Sequence, residues 1–140
     1  MIDLTSTFGR AVEQHLKNQY VIWLTTVDST LTPQPRPVWF VWEHDSILIF
    51  SQAKAHKVAH VKKNPNVALN FNTDETGDKH VIVFTGEALL DADCPPAHEV
   101  SAYFEKYKEG IAGLDMTPEA FSRDYSVAIR IRPAEVRGWE

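Results

Sequence analysis

Between a strand-like run and a helix-like run, the segment Phe50-Ser51-Gln52-Ala53-Lys54-Ala55-His56-Lys57 sets a hydroxyl and two ammonium groups close together. A helix N-terminus leaves backbone N–H groups free, Ser51 can donate from its hydroxyl, and Lys54 and Lys57 supply point charges. In outline this is an anion site. The same residues also fit a solvated helix carrying ordinary surface lysines, and the segment alone leaves both readings open.

A second group is Pro33-Gln34-Pro35-Arg36-Pro37-Val38-Trp39-Phe40-Val41-Trp42. Three prolines at alternate positions hold the backbone extended and remove three N–H donors, so the stretch belongs at a sheet edge. An edge strand with flat apolar side chains can accept a planar ring. Trp39 and Trp42 can equally pack in a core or at a subunit contact. His56 and His60, four apart, share one face of the predicted helix. A metal needs further ligands, which this spacing does not supply, so no metal site is assigned. The chain has no Gly-rich phosphate loop, no Ser-His-Asp set and no carboxylate pair placed for acid–base work. No catalytic residue is nominated. Cys94, the single cysteine, precedes Pro95-Pro96 and reads as a structural or incidental thiol.

The elements that must position these groups follow from periodicity. Phe8, Val12 and Leu16 recur every four residues after Thr5, Ser6 and Thr7, which predicts a capped amphipathic helix over Thr5–Lys17. Six strands are expected: Tyr20–Thr26, Arg36–Trp42, Ile47–Phe50, Val67–Asn72, His80–Leu90 and Ser126–Arg132. Turns fall at Asp28-Ser29-Thr30 and Glu43-His44-Asp45, and Gly86 marks a bulge or a close approach. A short helix runs from about Ala55 to before Asn64-Pro65. Val100, Tyr103, Phe104 and Tyr107 predict a helix over Pro96–Lys108, with Gly110 as its stop. Thr117-Pro118-Glu119 starts another that reaches about Asp124. Six strands with helices at the edges imply a mainly β fold, an antiparallel split or closed barrel, because an open sheet would leave long edges to protect.

The 140-residue chain fits one domain over 1–140. With 44% hydrophobic and 24% charged residues it is ordinary for a globular protein, and its apolar runs are too short for a bilayer. A formal charge of −5 without a basic run argues against nucleic acid and anionic membranes as partners, while leaving room for a small basic pocket. The N-terminus has no secretory pattern, and the cytoplasm is the expected location.

Several motifs together resemble a known family. They are Trp23-Leu24-Thr25-Thr26, Gln34 through Trp42, Ser51-Gln52 through Lys57, Asn64-Pro65-Asn66-Val67 and Asp124-Tyr125-Ser126-Val127-Ala128-Ile129-Arg130. From about Tyr20 to Trp139 the chain is similar to the pyridoxamine 5'-phosphate oxidase-like split-barrel flavoproteins, most of all their deazaflavin (coenzyme F420)-dependent branch. The resemblance implies a homodimer of six-stranded split barrels with cofactor sites at the subunit interface. It implies that the strand matching Arg36 to Phe40 runs along the cofactor ring, with Pro37, Val38 and Trp39 as ring contacts. It implies a phosphate held by Ser51, Gln52, Lys54 and Lys57. Chemistry would then belong to the cofactor, coenzyme F420 or FMN, transferring a hydride to or from a conjugated small molecule. Lys54, Lys57, Lys62, Arg130 and Arg132 are available for the longer anionic tail of the deazaflavin. The ending Arg132–Glu140 lacks the substrate-phosphate pattern of pyridoxamine-phosphate oxidation itself. A non-catalytic carrier of flavin or haem is the second reading, with His56 or His60 as the nearest axial ligand.

Overall fold

The computed structural model describes residues 1–140. Helix α1 (Thr7–Asn18) is capped by Ser6, whose hydroxyl accepts the Gly9 N–H at 2.9 Å. There follow β1 (Val21–Val27), β2 (Pro33–Trp39), β3 (Val41–Glu43), β4 (Ser46–Ser51), α2 (His56–Lys63), β5 (Asn66–Asn70) and β6 (Val81–Leu90). A 3₁₀ turn (Ala97–Glu99), α3 (Ser101–Gly113), α4 (Pro118–Asp124) and β7 (Val127–Trp139) complete the chain. No helix is long and apolar enough to cross a membrane.

The strands form one antiparallel sheet in the order β2-β1-β5-β6-β7-β4-β3. Its two outermost strands, β2 and β3, are consecutive in the chain and joined by Phe40 alone. The sheet must therefore curl until its edges almost meet, which makes it a split barrel. Barrel closure answers the edge problem except at this seam. The proline-rich β2 lies on the edge, where three missing donors cost least.

There are seven strands where six are expected, because the run Arg36–Trp42 breaks at Phe40. Tyr107 fills the break. Its hydroxyl accepts the Phe40 N–H at 2.8 Å and lies 2.7 and 2.8 Å from the carbonyls of Tyr20 and Phe40, to which its one proton can be given. The last strand extends past Arg132 to Trp139, and Pro133 is accommodated at a bulge. There Thr85 pairs with Glu135 and Gly86 with Pro133, leaving Ala134 as the extra residue. A Cβ on Gly86 would lie 2.8 Å from the Arg132 carbonyl oxygen.

Two turns set the register around the seam. In the hairpin joining β3 to β4, His44 and Asp45 both take positive φ, 52° and 55°, as a type I′ turn requires. Between β1 and β2, the Asp28 carboxylate accepts the N–H groups of Thr30 and Thr32 and the amide of Gln34. These bonds, led by that of the Thr30 hydroxyl, hold its carboxyl down at about 2.

The core has two parts separated by β4, which is buried on both faces. Inside the barrel, Ile22, Leu24, Phe40, Ile49, Leu69 and Phe84 pack with Leu16 of α1 and Val58 of α2. Outside it, Leu48 and Phe50 pack with Tyr103, Tyr107 and Ile111 of α3 and Phe121 of α4.

Candidate functional site

Beside the barrel seam lies a cleft of about 390 Å³. Strand β2 supplies Pro37, Val38 and Trp39, β4 supplies Phe50, α2 supplies Lys57, and Tyr103, Phe121 and Tyr125 come from α3, α4 and the residue after it. The walls are aromatic and ordered. Trp39 stacks on Tyr107 at 4.6 Å and 6°, and on Phe121 at 6.0 Å and 23°; Phe121 stacks on Tyr125 at 4.5 Å and 16°. Such parallel faces favour another flat ring.

Helix α4 is held for this purpose from two sides. The His98 N–H donates to Ser122 Oγ at 3.0 Å, and His98 Nδ1 lies 2.7 Å from the same oxygen. From the other side Gln52 Nε2 donates to Asp124 Oδ2 at 3.0 Å, tying the loop before α2 to the end of α4.

Lys57 is the one charged residue of the lining. Burial, and then the positive charge of Arg36, lowers its pKa below the ordinary lysine value. Neither cation has a carboxylate within ion-pair distance; Arg36 reaches only the Pro35 carbonyl, at 2.8 Å. A half-buried lysine that feels a second positive charge and has no counter-ion favours an anion beside it.

Of the residues singled out in the sequence, the structure brings Pro37, Val38, Trp39 and Lys57 into one cleft, with Arg36 near Lys57. Ser51 is buried at the end of β4, and its hydroxyl donates to the Gln52 carbonyl at 3.0 Å. Gln52 is engaged with Asp124, and Lys54 stands exposed in the turn before α2. Arg130 does not join the basic groups. It is 8% exposed and is held by Asp91 at 3.0 Å, Glu43 at 3.3 Å and Ser46 at 2.8 Å. His60 Nδ1 lies 2.7 Å from the Thr26 hydroxyl, and neither His56 nor His60 lines the cleft.

Tyr103, Phe121 and Tyr125 were missed as site residues. Tyr103 belongs to a helical apolar stripe, which reads as core, and nothing in its spacing separates a core ring from one that borders a cavity.

The family model described as pyridoxamine 5'-phosphate oxidase matches residues 8–140. The chain belongs to the pyridoxamine 5'-phosphate oxidase family. As a member, it shares the fold of solved structures of several kinds. A putative pyridoxamine 5'-phosphate oxidase from Listeria innocua is 23% identical, with a TM-score of 0.68, over 91% of this chain and 94% of that one. An F420 reductase is 25% identical, with a TM-score of 0.62, over 89% of this chain and 94% of the other. The haem storage protein of Vibrio cholerae is 15% identical, with a TM-score of 0.64, over 91% and 88% respectively. No curated protein matches the sequence.

Proposed function

We propose that the cleft holds a flavin-type cofactor, coenzyme F420 or FMN, with its ring along Pro37, Val38 and Trp39 and its phosphate at Lys57 and Arg36. On this reading the protein is an oxidoreductase that moves a hydride between the cofactor and a conjugated small molecule. The observation that carries it is the meeting of a flat aromatic slot and an uncompensated lysine in one cleft, with Arg36 near enough for its charge to act on that lysine. Ser51, Gln52 and Lys54 stand next to Lys57 in the chain and complete the proposed phosphate end through the loop they form. The similarity to an F420 reductase supports the deazaflavin form.

Such a cofactor supplies the hydride, and a proton from solvent completes reduction of a conjugated double bond. The protein's part is orientation and exclusion of water, which the stacked walls and β2 backbone provide. A homodimer would cover the open side of the cleft. The cytoplasm suits the one free thiol, Cys94. A haem carrier would need an imidazole in the cleft, and the lining contains none.

Lys57→Ala tests the proposal. A charge-assisted bond to a partly buried phosphate is worth about 1.5–3 kcal/mol, so affinity for FMN and coenzyme F420 should fall roughly ten- to a hundredfold. Riboflavin, which has no phosphate, should bind parent and variant alike. Equal affinities of parent and variant for all three would remove Lys57 from the site. A parent that binds cofactor but never turns it over with any acceptor would be a carrier.

A further inference from the structure

Tyr103 is 1% exposed, and its ring is fixed on several sides. It meets Phe50 edge-on at 4.8 Å and Tyr107 at 4.7 Å. One turn further along α3, the Tyr107 hydroxyl is fully engaged with backbone at the seam. The Tyr103 hydroxyl neither gives nor receives a hydrogen bond within the chain. No buried side-chain nitrogen or oxygen in the molecule is sealed off without a partner. The Tyr103 oxygen must therefore keep an opening, and the cavity that Tyr103 borders is the aromatic cleft. A nearly buried polar atom on a residue that borders a cavity, with no partner of its own, is a recognition group awaiting one.

The chemistry of the partner can be narrowed. Burial, followed by the nearby Tyr107, Tyr125 and Tyr20, pushes the Tyr103 ionisation up, so the phenol keeps its proton and acts as a donor. Apolar walls disfavour a charged acceptor at this position, and the cation that would balance one is Lys57. The remaining class is a neutral acceptor on a flat ring system, of which a carbonyl oxygen conjugated with the ring is the case put to the test below.

We propose that the Tyr103 hydroxyl selects the cleft's occupant by donating a hydrogen bond to a carbonyl oxygen conjugated with a planar ring. The inference deepens the reading above and rests on the cleft being a ring site. The carbonyl can belong to the cofactor ring or to a conjugated substrate, and the two are separable by experiment.

Parent and Tyr103→Phe are titrated with riboflavin, with benzylideneacetone, and with the hydrocarbon phenylbutene, which keeps the conjugated ring and lacks the carbonyl. Loss of one neutral hydrogen bond should weaken binding about three- to tenfold. A loss with riboflavin identifies the cofactor ring as the acceptor, and a loss with benzylideneacetone alone identifies the substrate; phenylbutene should be unaffected. The variant should melt no lower than the parent, because the hydroxyl has no bond in the fold to lose. Unchanged affinity for both carbonyl compounds overturns the inference. So does an equal loss with the hydrocarbon, or a melting point well below the parent's, since either would show Tyr103 serving packing alone. A parent that binds none of the three probes overturns it as well. If FMN fails to bind the parent while benzylideneacetone shows the Tyr103 effect, the cofactor reading falls and the carbonyl subsite stands.

Discussion

Lys106 places its ammonium 3.8 Å above the Phe40 ring and 2.9 Å from the Phe40 carbonyl, with no carboxylate paired to it. Burial lowers its pKa from 10.5 to about 8, so the folded protein gives up this proton before the unfolded chain does. Between those two values the unfolded chain binds more protons, and stability rises with pH. Below about pH 8 both states are charged and the full cost of burial remains. The raised pKa values of Tyr103 and Tyr107 act in the opposite sense above about pH 10, so the window to read is pH 8 to 10. Lys57 adds to the rise in the same direction, and the difference between parent and Lys106→Met isolates Lys106. Urea denaturation at stepped pH should show the parent gaining stability across the window and the variant gaining less. At pH 7 the variant should be no less stable, because the Phe40 carbonyl keeps Tyr107 as a donor. Equal pH slopes for the two proteins would refute the account. At this scale Lys57 was legible from its place after a strand end. The fate of Arg130 was not, since Glu43 and Asp91 come from distant parts of the chain and only the fold brings them to it.

Helix α3 shows how an element can be recognised and its end misjudged. Gly110 reads as a stop, yet the helix continues to Gly113. A Cβ at position 110 would collide with the Tyr20 hydroxyl and lie 3.0 Å from the Trp39 ring, so this glycine permits close approach between the helix and the cleft wall. The two roles predict opposite signs. If only helix propensity mattered, Gly110→Ala would stabilise by about 1 kcal/mol. Displacing Trp39 should instead cost about 1–3 kcal/mol and weaken ligand binding in the cleft. A thermal melt that rises, with affinity unchanged, would reject the packing role. The strands were legible from alternation and turn residues, including the bulge at Gly86 and the edge position of β2. The break at Phe40 was not, because Arg36–Trp42 is uniformly β-prone and the group that interrupts it, the Tyr107 hydroxyl, lies 67 positions away in the sequence.

Taken whole, the molecule half-buries Trp39 against its own α3 and α4, so that residue does not by itself point to a second subunit. Val83, Leu89 and Trp139 do, at 39%, 49% and 55% exposed on β6 and β7. Apolar groups left on a sheet surface are usual where copies of a chain meet. Sedimentation at micromolar concentration should give twice the 15.9 kDa of one chain, and a monomer with cofactor bound would exclude the proposed dimer. The seam has a consequence of another kind. The Phe40 N–H is directed to a phenol on α3 and not to a neighbouring strand. Its exchange with deuterated solvent is therefore governed by how often α3 lifts from the barrel, and not by fraying of the sheet edge. A single amide thus meters the opening of the wall that carries Tyr103, in the same protein whose strand amides report the stability of the barrel itself.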